Sequence, residues 1–192
     1  MKISASWMMA LLLIPAPLAA QEPKTQAAPN QARPDAGVRT PTNEIRIGSR
    51  VFVGEEAPDF ELSNLDGRPV RLMRFRGDRV LLAFADRREM LVPFAAIAES
   101  LRASGVSLVG ICHDSPQSLR TLATRERLPF ELLSDPTGEI SAMYGAYDYM
   151  ASSIVPGFVL VGRRGLVRMV FLGEMLPSTE LLQLTRYALT GS

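Results

Sequence analysis

The sequence predicts an α/β fold: a central mixed β-sheet flanked by helices, with an N-terminal β-hairpin extension. Three observations carry that prediction. Val80 to Phe84 is a short apolar run, the pattern of a strand covered on both faces. From Met90 the apolar residues recur at Phe94, Ile97, Ala98 and Leu101, the spacing of a helix with one buried face. After Gly105, Val106 to Cys112 is a second apolar run. Strand, helix and parallel strand make one right-handed crossover unit.

The chain has 192 residues and is 47% hydrophobic, enough for one ordinary single-domain core. Met1 to Ala20 reads as a secretory signal, with Lys2 at its start, an apolar region from Trp7 to Ile14 and Leu18-Ala19-Ala20 at its end. Cleavage is expected after Ala20, with export to a periplasmic location. The apolar region is short for a membrane span, so no stable insertion is expected after cleavage; a leader kept as an anchor is the alternative. Removing the leader takes Lys2 from the 21 basic residues and leaves them equal in number to the 20 acidic ones. No polyanionic partner and no nucleic acid is implied, and the Arg pairs at 87/88 and 163/164 read as solvated faces. One cysteine excludes an intramolecular disulfide.

Residues 21–45 are rich in Pro, Ala, Gln and Thr without periodic apolar positions, the composition of a disordered tether. The folded domain is expected over 46–192, opening with an extended segment through Ile45, Ile47, Val51 and Val53. Strands near Phe60 to Leu62 and Val70 to Leu72 flank Asp66-Gly67, a hairpin turn. Gly77-Asp78 turns the chain into the first buried strand. Asp86 stands three residues before Glu89, the spacing of a capping box at the start of the following helix. Pro93 inside that helix predicts a kink, and Gly105 closes it. Ser115 and Pro116 open a second helix running to about Arg127 as cap and first residue, with Asp114 expected to assist the cap. Leu132-Leu133 is a short strand, Asp135 to Gly138 a turn, and Glu139 to Tyr144 a short helix. Gly157 to Gly162 and Leu166 to Leu172 read as a second hairpin. Pro177-Ser178 opens the last helix, whose apolar face is expected to hold Leu181, Leu182, Leu184, Thr185 and Leu189.

The strand followed by a proline-containing helix resembles the heart of the thioredoxin-like superfamily. V-G-E-E-A-P-D-F-E-L at 53–62 and D-G-R-P-V-R-L at 66–72 are similar to the N-terminal hairpin of the peroxiredoxins, the alkyl hydroperoxide reductase and thiol-specific antioxidant family. G-V-S-L-V-G-I-C-H-D-S-P at 105–116 and L-P-F-E-L-L-S-D-P-T-G-E-I at 128–140 continue the resemblance in the same order, and it covers roughly Val53 to Gly191. It implies the thioredoxin-like fold and a thiol oxidoreductase ancestry. It also exposes what is missing. Matched on Pro93, the Cys-x-x-Cys positions of thioredoxins fall on Ala85, Asp86, Arg87 and Arg88. Matched to peroxiredoxins, the peroxidatic cysteine falls near Arg87 with several loop residues deleted, its threonine is absent, and the peroxide-polarising arginine falls on Pro156. Val155-Pro156 itself is similar to the thioredoxin loop whose proline faces the active-site cysteines. Asp86, Arg87, Arg88 and Pro156 thus mark a vacated active-site region, to be read either as a polar pocket or as a capped, solvated helix start.

Cys112 is the only thiol, and any thiol chemistry must use it. It ends a strand, at the sheet edge where sites gather in α/β folds, but His113 beside it points to the opposite face of a continuing strand and is poorly placed as its base. The resemblance puts Cys112 where the family has a small residue. Its bland reading is a half-buried apolar filler. Cys112, His113 and Asp114 are consecutive and cannot easily converge on one metal ion, so no metal is expected, and no cofactor motif is present. Two functions follow: a non-enzymatic binding or scaffold module, or a one-cysteine thiol peroxidase or reductase working through Cys112. The partner is left open between a protein, a small molecule and a second copy of the chain.

Overall fold

The computed structural model describes residues 51–190. The expected leader, the tether and the Ile45 and Ile47 positions lie outside the described residues. Val51 is buried, whereas Val53 is exposed and belongs to no strand.

The N-terminal hairpin forms as the turn chemistry dictates. β1 (Glu61–Asn64) and β2 (Pro69–Arg71) pair antiparallel. The Asn64 side chain holds the turn by accepting the backbone N–H groups of Asp66 and Arg68 at 2.9 and 3.0 Å, the local bonding that favours Asn at turns. β3 (Arg79–Ala85) and β4 (Val106–Cys112) are parallel and in register from Arg79↔Val106 to Ala85↔Cys112. Between them runs α1 (Ala95–Ala103), closed by Gly105 at φ 71°. α2 (Pro116–Glu126) starts on Ser115, whose Oγ accepts the Ser118 N–H at 3.3 Å. β5 (Glu131–Ser134) extends the parallel set, and α3 (Glu139–Met143) follows the turn at 135–138. A separate two-stranded ribbon, β6 (Tyr147–Asp148) and β7 (Ser153–Ile154), precedes the antiparallel pair β8 (Gly157–Val161) and β9 (Val167–Leu172). α4 (Ser178–Thr190) ends the described chain. The main sheet has seven strands in the order β2-β1-β5-β4-β3-β8-β9.

Strand alternation divides the core into two layers. Val80, Leu82, Phe84, Val109 and Ile111 face one layer, closed by Phe60, Leu62, Val70 and Tyr144. Leu81, Ala83, Ala85, Leu108 and Cys112 face the other, closed by Leu91, Phe94, Ile97, Leu101, Leu119 and Leu181. Tyr144 is fully buried and donates its hydroxyl to the Pro58 carbonyl at 2.6 Å, tying the end of α3 to the segment before β1. Burial raises its hydroxyl pKa above the ordinary 10.0, and the nearby Asp59 charge adds to the shift.

Four local expectations are corrected. Asp86 caps nothing: Arg87 stays extended at φ −120°, ψ 129°, and a 3-10 segment, Arg88–Phe94, comes before α1 with no side-chain cap. The reason is Pro93, which lacks the N–H that an α-helical ladder would aim at the Glu89 carbonyl. The α-helix begins only at Ala95, so the expected kink is replaced by a change of helix type. Asp114 does not assist the α2 cap; its carboxylate takes the Arg88 guanidinium. On α4 the buried residues are Leu181 and Thr185, one turn apart along the same line of the helix, while Leu184 lies to one side of that line and is 40% exposed.

Candidate functional site

Because β3, β4 and β5 run parallel and β8 antiparallel to β3, one sheet edge collects the ends of β3, β4 and β5 and the start of β8. The register Cys112↔Ala85, Cys112↔Ser134 and Phe84↔Gly157 therefore brings Asp86, His113, Asp114, Asp135 and Pro156 to that edge. This is the place where open α/β sheets carry their sites.

The 3-10 segment is held over this edge by Leu91, which is fully buried and reaches the backbone of β4. A Cβ at Gly110 would stand 2.7 Å from both Leu91 Cδ1 and Leu132 Cδ2, so glycine is what lets the segment approach. With the segment docked, Arg88 projects across to the loop between β4 and α2. Its guanidinium donates to Asp114 Oδ1, and its Nε lies 3.1 Å from Glu89 Oε1. The Asp114 bond and charge raise the Arg88 pKa further above its ordinary value, so the site keeps a permanent cation shared by two carboxylates. Asp86 and Arg87 are exposed, and neither has an ion-pair partner among the described residues. Pro156 is partly buried beside the end of β3, its carbonyl accepting the Gly173 N–H at 2.9 Å.

Of the four residues expected to mark this region, Arg88 is thus drawn into an ion pair, Pro156 packs at the start of β8, and Asp86 and Arg87 face solvent. A cavity of about 390 Å³ lies at the opposite sheet edge, lined by Glu56, Asp59, Leu72, Arg76, Val80 and Val161 among others. A second, of about 260 Å³, opens between α1 and β4 near Arg74 and Glu131. Neither touches Asp86, Arg87, Arg88, Cys112 or Pro156.

Cys112 is completely buried rather than half-buried. Its thiol is pushed up from an ordinary 9.0 to about 12, first by loss of solvent and then by the charge of Asp114; Arg88 pulls the other way without prevailing. His113 falls on the other face, as alternation requires, with its ring centroid 5.6 Å from that of Tyr147. Its Nε2 is shielded from solvent and has no hydrogen-bond partner among the described residues. Cys112, His113 and Asp114 therefore point into three surroundings: the helix-side core, the Tyr147 ring and the Arg88 guanidinium.

Two features of this edge were not legible in the chain. The Arg88–Asp114 pair joins residues 26 apart with no periodic signal between them. The His113–Tyr147 contact depends on Gly138, where a Cβ would lie 2.3 Å from the Tyr147 ring and 2.9 Å from His113 Nε2. The signal that existed was Gly138 in D-P-T-G, which reads as a turn residue and is also a packing one.

A family model described as the AhpC/TSA family matches residues 53–170, more than half of the chain. Chloroplastic peroxiredoxin Q of Sedum lineare is 28% identical over 149 residues, covering 73% of this chain and 80% of that protein. Peroxiredoxin Bcp of Escherichia coli K12 is 32% identical over 102 residues, covering 49% of this chain and 64% of that protein. Among solved structures, the peroxidoxin BcpB of Mycobacterium tuberculosis superposes with a TM-score of 0.64 at 23% identity, covering 71% of this chain and 97% of that one.

Proposed function

The chain belongs to the AhpC/TSA family, and from that premise we propose that it is an exported member in which the fold serves as a binding scaffold and the thiol peroxidase chemistry has been lost. One observation carries the reading. The turn that follows β3 carries Arg88, ion-paired to Asp114, and no thiol, while the one thiol of the chain, at the end of β4, is fully buried with its pKa near 12. A peroxidatic thiol has to be a thiolate and has to reach its substrate. At neutral pH a thiol with a pKa near 12 is a thiolate in roughly one molecule in 10⁵, following the tenfold step per pH unit, and burial withholds even that fraction.

The scaffold reading places the docking lip on Asp86, Arg87 and Pro156, which the sheet register gathers at one edge and leaves wholly or partly accessible. Export follows from the Met1 to Ala20 leader pattern. The test is peroxide consumption by the protein with dithiothreitol as electron donor, run beside Cys112→Ser and a protein-free blank. Equal rates in all three support the scaffold reading. A wild-type rate well above that of Cys112→Ser overturns it and makes Cys112 a relocated peroxidatic thiol.

A further inference from the structure

With Cys112 enclosed, the accessible sulfur of the described chain is thioether, and it is unevenly presented. Of the six methionines among the described residues, Met150 is 96% exposed and Met73 is 51% exposed. Met90, Met143, Met169 and Met175 are partly buried against the two core layers. Met150 stands at the tip of the β6–β7 ribbon, and the ribbon is anchored. Tyr147 at its base packs on His113 and over Gly138, and Tyr149 packs edge-on against Tyr147 with centroids 5.2 Å apart. Asp148 Oδ1 accepts the backbone N–H groups of Met150 at 2.8 Å and Ala151 at 3.1 Å, which fixes the tip. The outcome is a pinned turn whose methionine side chain stands in solvent.

We propose that Met150 is the hydroperoxide-reactive site of the described chain, its thioether taking up one oxygen atom. A sulfur lone pair attacks one peroxide oxygen. The S–O bond forms as the O–O bond breaks, and the proton of the transferred oxygen passes to the leaving oxygen, which departs as alcohol, or as water when the oxidant is hydrogen peroxide. Sulfur is oxidised by two electrons and the peroxide reduced by two, so no further reductant enters the step. The product is a polar, chiral sulfoxide, which a core methionine could not accept without disrupting its packing. At Met150 there is no packing to lose, so oxidation leaves the fold intact. The inference rests on the reading that Cys112 does not react with peroxide.

The experiment treats the full chain with less than one equivalent of hydrogen peroxide, quenches, digests and maps oxygen uptake by peptide mass. Met150 is expected to lead the described sulfurs, about twofold ahead of Met73 in proportion to their exposure and further ahead of the four half-buried methionines. The singly oxidised protein should keep the Tm of the untreated chain, and Met150→Leu should remove the leading product. If Met73 or a half-buried methionine leads, or if Tm falls when Met150 alone is oxidised, the inference is overturned while the scaffold reading stands. If Cys112 is oxidised first, the scaffold reading itself fails.

Discussion

The paired interior of β3 and β4 and the six residues after β3 differ in almost every respect. From Val80 to Ala85 every side chain is buried, every backbone position is paired on both sides or nearly so, and the register runs unbroken to Cys112. From Asp86 to Leu91 the chain bends, winds as a 3-10 segment and touches the core through Leu91, with Met90 partly buried beside it. The interior has its conformation dictated by burial on both faces. The junction has its conformation dictated by three separate things: an anchor, a proline two residues later and an ion pair to the loop that follows β4. That difference teaches why a family can keep its fold while its site changes, since little of the core depends on which polar residues occupy 86–89.

Substitutions that break this contrast should fall in a clear order. Phe84→Ala, in the interior, should cost about 3–5 kcal/mol in urea unfolding, because it removes a fully buried ring that packs 5.5 Å from the Tyr144 ring. Leu91→Ala, the anchor of the junction, should cost about 2–5 kcal/mol, with the larger part of that range expected if the 3-10 segment lifts away from Gly110. Ser115→Ala should cost about 1 kcal/mol, the ordinary loss of an N-cap side chain. Asp86→Ala should stay within about 0.5 kcal/mol, because the carboxylate makes no cap bond; a loss as large as that of Ser115→Ala would show that a cap exists in solution.

The contrast also has a pH signature. Cys112 keeps its proton in the folded chain up to about 12 but releases it near 9.0 when unfolded. Above 9.0 the unfolded state therefore binds fewer protons than the folded state, and stability must fall as pH rises. The group's stabilising contribution is whole below about pH 9, is lost between about 9 and 12, and declines by at most about 1.4 kcal/mol per pH unit. Subtracting the same titration on Cys112→Ala should isolate it, since Tyr144 also favours its neutral form in the fold and contributes a fall in the same direction to both proteins. Identical slopes for the two proteins would mean that the thiol is solvated.

What could be read from the chain follows the same division. Val80 to Phe84, Val106 to Cys112, Gly105 and the Ser115-Pro116 start were legible because each is decided by a few adjacent residues and by burial that the apolar pattern reports. The thioredoxin-like architecture was legible because four such stretches occur in a known order. The Asp86/Glu89 spacing misled because a capping box is a local pattern, whereas Pro93 and the Leu91 anchor decided the local winding. Arg88 meeting Asp114, and Tyr147 filling the space left by Gly138, are contacts across the fold with no sequence period to announce them. Met150 was silent for a further reason: one apolar residue in Y-D-Y-M-A-S-S carries no sign of whether it faces core or solvent, and only the ribbon's geometry decides it.

The central claim is that the sole thiol is sealed and protonated, and native-state alkylation of Cys112 tests it most directly. With excess iodoacetamide at pH 8, the account predicts no detectable adduct on the folded protein over the time in which the urea-unfolded chain is labelled completely. Rapid labelling of the folded protein, with a pH midpoint below 9, would contradict it and return Cys112 to the list of working thiols.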